Sequence, residues 1–232
     1  MFILNKYASS QLLNEDLNAH IVSALKQAIK QKGHASLAVS GGTTPIPLFI
    51  MLSQQDLDWH RVFITLVDDR WVDDIHEASN EKLVKTYLLQ NKAKLANFVG
   101  LKNSCENPFV GSVITDKLLT KFPMPFDVLI LGMGEDGHTA SLFPRAANLA
   151  AGLDMQSDRK VIGMTPLTAP FDRITLTLPT ILNSQNIYLH LVGQVKMNVL
   201  EQAEKGNNIT EMPIRAILQQ DKVNITIFWT AS

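Results

Sequence analysis

Residues 126–144 read FDVLILGMGEDGHTASLFP. The apolar run FDVLIL (126–131) reads as a buried strand, and Gly132, Gly134 and Gly137 spell G-x-G-x-x-G directly behind it. Such a turn lets the backbone approach a ligand closely. A dinucleotide site would also need a smooth helix after the third glycine, and an acidic residue about 20 positions on, closing the next strand. Pro144 interrupts that helix, and Asp154 precedes the next strand, VIGMT (161–165), instead of closing it. The turn therefore does not read as a nicotinamide or flavin site. It holds instead Asp136, His138 and Thr139. A histidine ordinarily titrates near 6.5, so at a strand end beside glycines it can accept a proton near neutrality. Asp136 either orients that imidazole or caps the turn.

Outward from this stretch, strand-like and helix-like segments alternate. Residues 11–32 carry apolar groups at helical spacing and stop at Gly33. ASLAV (35–39), RVFITLV (61–67), VIGMT, RITLTLP (173–179), NIYLHLVG (186–193) and ITIFWT (225–230) read as strands. IPLFIMLSQ after Pro45, residues 80–96 and residues 194–205 read as helices. The alternation predicts an α/β fold: a doubly wound, mostly parallel sheet with helices on both faces, Rossmann-like. No linker, repeat or low-complexity tract divides the chain, so residues 1–232 are expected to form one domain.

If the strands run parallel, their polar ends converge on one edge, where α/β sheets place their ligands. SGGTTP (40–45) follows a strand and precedes a helix, so the backbone and hydroxyls of Ser40, Gly41, Gly42, Thr43 and Thr44 suit an anion such as phosphate. No Gly-Lys-Ser/Thr follows, so it is not a nucleotide P-loop. VDDRWV (67–72) offers Asp68, Asp69 and Arg70, the last able to grip a phosphate or carboxylate. Adjacent strand residues face opposite ways, so the two carboxylates need not act together. Arg173 and Lys196 supply further cations, whereas Trp59, Trp71 and Trp229 read as packing groups.

The formal net charge is -1, far from the basic footprint of a nucleic-acid binder. The composition, 46% hydrophobic and 19% charged, supports a sizeable core. One cysteine, Cys105, excludes an internal disulfide framework, and the six histidines form no metal-type pair. No secretory leader and no membrane-length apolar run is read, and a cytoplasmic location is expected.

Taken together, SGGTTP, VDDRWV, SN (79–80), LGMGEDGHTASLFP (131–144), RITLTLP and VGQVK (192–196) resemble the 6-phosphogluconolactonase family, within the wider glucosamine-6-phosphate isomerase group. The histidine motif agrees with the lactonase pattern G-x-G-x-D-G-H-T-A-S-L-F-P at every fixed position, whereas deaminases continue differently after D-G-H. Two departures stand out. Asp69 occupies a position where the family usually has Glu, and the chain closes on IFWTAS without the family's usual late Asp.

The resemblance implies hydrolysis of 6-phospho-D-glucono-1,5-lactone to 6-phosphogluconate in the oxidative pentose phosphate pathway, with His138 as general base tuned by Asp136. It implies substrate or phosphate contacts from Ser40–Thr44, Asp69, Arg70 and Lys196, with Arg173 either on the phosphate or near the carbonyl. Amides of the turns around 41–43 or at Gly132, Gly134 and Gly137 are candidates for the oxyanion. The expected partner is a small sugar-phosphate lactone, with no cofactor, metal, nucleic acid or membrane; no oligomeric state is read. The alternatives are a deaminase/isomerase using Asp68 or Asp69, and a non-catalytic sugar-phosphate sensor.

Overall fold

The computed structural model describes residues 2–232. Seven strands form one sheet in which every neighbouring pair is parallel. In chain order they are β1 (Phe2–Tyr7), β2 (Ala35–Val39), β3 (Val62–Leu66), β5 (Asn97–Val99), β6 (Val128–Leu131), β9 (Ile187–Val192) and β10 (Ile225–Thr230). Their spatial order is β1-β10-β9-β6-β2-β3-β5. The helices are α1 (Ser10–Lys32), α2 (Ile46–Ser53), α3 (Asn80–Tyr87), α4 (Pro108–Leu119), α5 (Leu149–Leu153), α6 (Leu178–Leu182), α7 (Gln194–Glu204) and α8 (Ile214–Leu218). This is the expected doubly wound α/β architecture. Strands β2 and β6 are buried at every residue, as strands covered on both faces must be, which explains their unbroken apolar runs. The core runs along the sheet and includes Phe49, Trp59, Phe126 and Phe228.

Several segments depart from the sequence reading, which does not anticipate β1, β5, α4, α5 or α8. RITLTLP does not join the parallel sheet. Its first half is β8 (Arg173–Leu176), the central strand of a small antiparallel sheet between β4 (Asp68–Arg70) and β7 (Val161–Met164), and its Leu-Pro opens α6. RVFITLV likewise runs past β3: at Val67 the chain leaves the parallel sheet and enters the antiparallel one as β4. The helix expected over 80–96 stops at Tyr87, and a 3-10 turn follows at Asn91–Leu95. Asn91 lies in the left-handed region, which asparagine tolerates but a continuing helix does not.

Because the large sheet is parallel, the carboxyl ends of β2, β6 and β9 lie side by side at one edge. SGGTTP, the glycine turn and VGQVK all emerge there, and β4 brings Asp68–Arg70 to the same edge from the second sheet.

Candidate active site

The glycine turn is built around its histidine. Gly137 has a φ of 78°, a backbone form that a side chain would strain. At Gly134 an added Cβ would lie 2.1 Å from His138 Nδ1, so only glycine lets the imidazole lie against the turn. His138 Nδ1 is 2.6 Å from Asp136 Oδ1, and the same oxygen accepts the His138 backbone N–H at 3.1 Å. The imidazole also stacks on Phe143, with ring centroids 4.2 Å apart. Burial alone would push Asp136 up, but the hydrogen bond and charge of His138 outweigh it and hold the carboxyl below its ordinary value. An ionised carboxylate only accepts, so Nδ1 carries the proton and Nε2 keeps a lone pair.

This imidazole lines a cleft of about 300 Å³. Also lining it are Ser40, Gly41, Gly42 and Thr44 from the first turn, Asp68 and Arg70 from β4, Asn80 from α3, Gly132 and Gly134, and His190 and Lys196. The amides of Gly41, Gly42, Thr43 and Thr44 have no acceptor among the described residues, which leaves a run of donors ahead of α2. Ser40 Oγ ties this turn to the histidine turn, donating to the Ile130 carbonyl at 3.0 Å and accepting from the Gly132 N–H at 3.3 Å. Lys196 has no acidic partner among the described residues, and Arg70 spends one Nη on the Ala78 carbonyl. Among the described residues no three His, Cys, Asp or Glu side chains converge as a metal site would need.

Several expected residues stand elsewhere or are already engaged. Asp69 is buried and turned away from the cleft. It accepts backbone N–H groups from Arg70 at 2.8 Å, Asn80 at 2.7 Å and Glu81 at 3.1 Å, and the Ser79 hydroxyl at 3.4 Å. It anchors the start of α3 and stands off the cleft lining on which it was expected. Burial pushes its carboxyl up to about 6 against the three backbone donors, which pull it down. The period of two along β4 explains the geometry: Asp68 and Arg70 face the cleft and Asp69 faces α3. The amides of Gly132, Gly134 and Gly137 are committed to Ser40 Oγ, the His138 carbonyl and the Gly134 carbonyl, so none is free for an oxyanion. The Thr43 side chain is exposed and off the lining. Arg173 is buried behind the lining, with Nη2 on the Pro170 carbonyl and its guanidinium 5.7 Å from the Phe143 ring centre. Burial, followed by the charge of Arg70, lowers its pKa.

Three further residues line the cleft: Asp68, a candidate only for the deaminase alternative, Asn80, noted only within the SN motif (79–80), and His190, which the sequence does not single out. Asp68 accepts from Ser141 Oγ at 2.5 Å, joining β4 to the histidine turn. Asn80 donates from Nδ2 to the Asp68 carbonyl at 2.9 Å and lies so close to Gly41 that an added Cβ there would meet Asn80 Oδ1 at 1.9 Å. Asp69 thus fixes α3, α3 presents Asn80, and Asn80 braces the anion turn. The third is His190, on β9, whose pKa burial lowers to about 4. The unfolded chain takes up a proton near 6.5 that the folded His190 refuses until about 4, so stability is full above pH 6.5 and falls as the pH drops through that window. Its share is roughly 3 kcal/mol at most. Urea unfolding at a series of pH values should show wild type losing more stability from pH 6.5 to 4 than His190→Gln; parallel curves would contradict this.

A family model described as "Glucosamine-6-phosphate isomerases/6-phosphogluconolactonase" matches residues 8–229. The 6-phosphogluconolactonase of Neisseria meningitidis serogroup A is 39% identical over 231 residues, 99% of each chain. That of Pseudomonas putida is 39% identical over 97% of this chain and 92% of its own. A crystal structure of a 6-phosphogluconolactonase from Shewanella baltica superimposes with a TM-score of 0.98 at 44% identity, covering 100% of this chain and 98% of that one. A monomeric glucosamine-6-phosphate deaminase shares the fold, with a TM-score of 0.78 at 18% identity. The chain belongs to the glucosamine-6-phosphate isomerase/6-phosphogluconolactonase family.

Proposed function

We propose that this chain hydrolyses 6-phospho-D-glucono-1,5-lactone to 6-phosphogluconate, with His138 as the general base. The observation that carries the mechanism is the Asp136–His138 pair, 2.6 Å apart, opening into a cleft that also holds uncommitted amides and two cationic side chains. Relatives bearing the lactonase name along nearly their whole length support the reaction. The substrate's phosphate is held by the amides of the Gly41–Thr44 turn together with Arg70 and Lys196. Arg173 adds positive potential from behind Phe143.

Held this way, the lactone carbonyl faces His138. Nε2 takes a proton from water as its oxygen attacks C1, and Asp136 stabilises the imidazolium that forms. The tetrahedral oxyanion collapses, the C1–ring oxygen bond breaks, and His138 returns the proton to the departing ring oxygen. The new carboxylic acid then ionises and releases one proton to solvent. Oxidative pentose phosphate metabolism in the cytoplasm is the setting that goes with this reaction, and residues 1–232 act in it as one unit. Among the described residues no helix is long and apolar enough to cross a membrane.

The test follows acid release from freshly generated 6-phosphogluconolactone at neutral pH, with the spontaneous rate subtracted, and separately ammonia release from glucosamine 6-phosphate. Catalysis of the first without the second is expected. Ammonia release alone would overturn the lactonase reading in favour of a deaminase, and ligand binding without either turnover would leave a sensor.

A further inference from the structure

His190 lines the cleft, yet the mechanism above does not use it. The residue is only 4% exposed, and among the described residues neither of its ring nitrogens has a hydrogen-bond partner. A buried polar group is ordinarily paired, because leaving a donor or acceptor unmet is unfavourable. The residues that share its face of β9 are the buried Tyr188 and the half-buried Val192, and its partner across the ladder is the buried, apolar Phe228. An aliphatic residue would fill the position without that penalty.

The register places the residue at a useful depth. Leu189 pairs with Leu131, so His190 lies level with Gly132, where the histidine turn begins. It is therefore deep in the same cleft as His138, on a different strand from the Gly41–Thr44 turn. With its pKa near 4 the imidazole is uncharged at neutral pH and presents one N–H and one lone pair. That suits a hydroxyl, which both donates and accepts, better than a phosphate.

We propose that His190 is a specificity residue of this cleft, hydrogen-bonding a hydroxyl on the polyol portion of the sugar phosphate while the phosphate itself is held elsewhere. This rests on reading the cleft as a sugar-phosphate site.

The test is calorimetric titration of 6-phosphogluconate and, separately, inorganic phosphate into wild type, His190→Leu and His190→Gln, each first shown to melt cooperatively. His190→Leu should bind 6-phosphogluconate about five- to tenfold more weakly, the size of one hydrogen bond, and phosphate within about twofold of wild type. His190→Gln, which keeps a donor and an acceptor, should recover most of the loss. In turnover, KM should rise in the Leu variant with kcat little changed. Equal affinity of wild type and His190→Leu for 6-phosphogluconate would overturn the assignment. So would parallel loss of both ligands, which would mark His190 as a support of the cleft wall. If wild type itself shows no preference for 6-phosphogluconate over phosphate, the sugar-phosphate reading fails and takes the assignment with it. His190→Phe, which matches the apolar neighbours in kind, takes the place of His190→Leu if that variant does not fold.

Discussion

Replacing His138 with alanine should lower kcat for lactone hydrolysis by about 10²–10⁴-fold, the usual contribution of a placed general base. The fold should survive, because the imidazole's contacts are local: Asp136 two residues away and the Phe143 ring. KM should change little, since the phosphate is gripped by other elements and the lost interaction belongs to the transition state. Asp136→Ala should fall less far, because it leaves Nε2 in the cleft while removing the partner that fixes the tautomer. Acid-release kinetics on both variants, with near-ultraviolet circular dichroism as the folding control, decide the matter. A His138→Ala enzyme that keeps kcat within threefold of wild type would remove His138 from the chemistry.

The second large effect is on stability. Asp69→Ala should destabilise the protein by about 3–5 kcal/mol, because three backbone N–H groups and a hydroxyl in a buried setting lose their shared acceptor. The loss should surface as a lower urea midpoint with the slope unchanged. Its effect on catalysis is indirect. The start of α3 frays, Asn80 no longer braces Gly41, and phosphate affinity weakens, while kcat at saturating substrate in the cold holds near wild type. Asp69→Asn keeps one acceptor oxygen and should fall between the two. Unchanged stability with a raised KM would instead return Asp69 to the role of a direct phosphate contact.

Asp68 and Asp69 show how far the sequence could be read. Five of the seven parallel strands were legible as apolar runs with polar or glycine-rich ends; β1, which carries Asn5 and Lys6, and the three-residue β5 hold no such run and were not. The antiparallel sheet was not legible either. Its strands have three or four residues, and β7 and β8 are buried throughout, so no alternation betrays which sheet they join. The rule that neighbours on a strand face opposite ways was enough to separate Asp68 from Asp69. It could not say which one faced the ligand until β4 was placed against β8. Helix α4 departs in another way: Phe109, Val110, Val113, Ile114 and Leu118 share one face, but that face stands about half exposed, while the small and polar Gly111, Ser112 and Thr115 are buried. His138 announced itself through the glycines that make room for it. His190 sits in an ordinary strand pattern, and only burial without a partner distinguishes it.

The strand order also has a consequence for how the chain is made. β1 lies at the edge of the sheet, and its sole partner there is β10. Among the described residues the earliest strand therefore waits for the latest before it can pair. Until β10 is made FILNKY has no strand to pair with, so completing this edge means closing a loop that spans nearly all the described residues. The chemistry-bearing strands β2, β6 and β9 sit inward of that edge, and their mutual pairing does not wait for it.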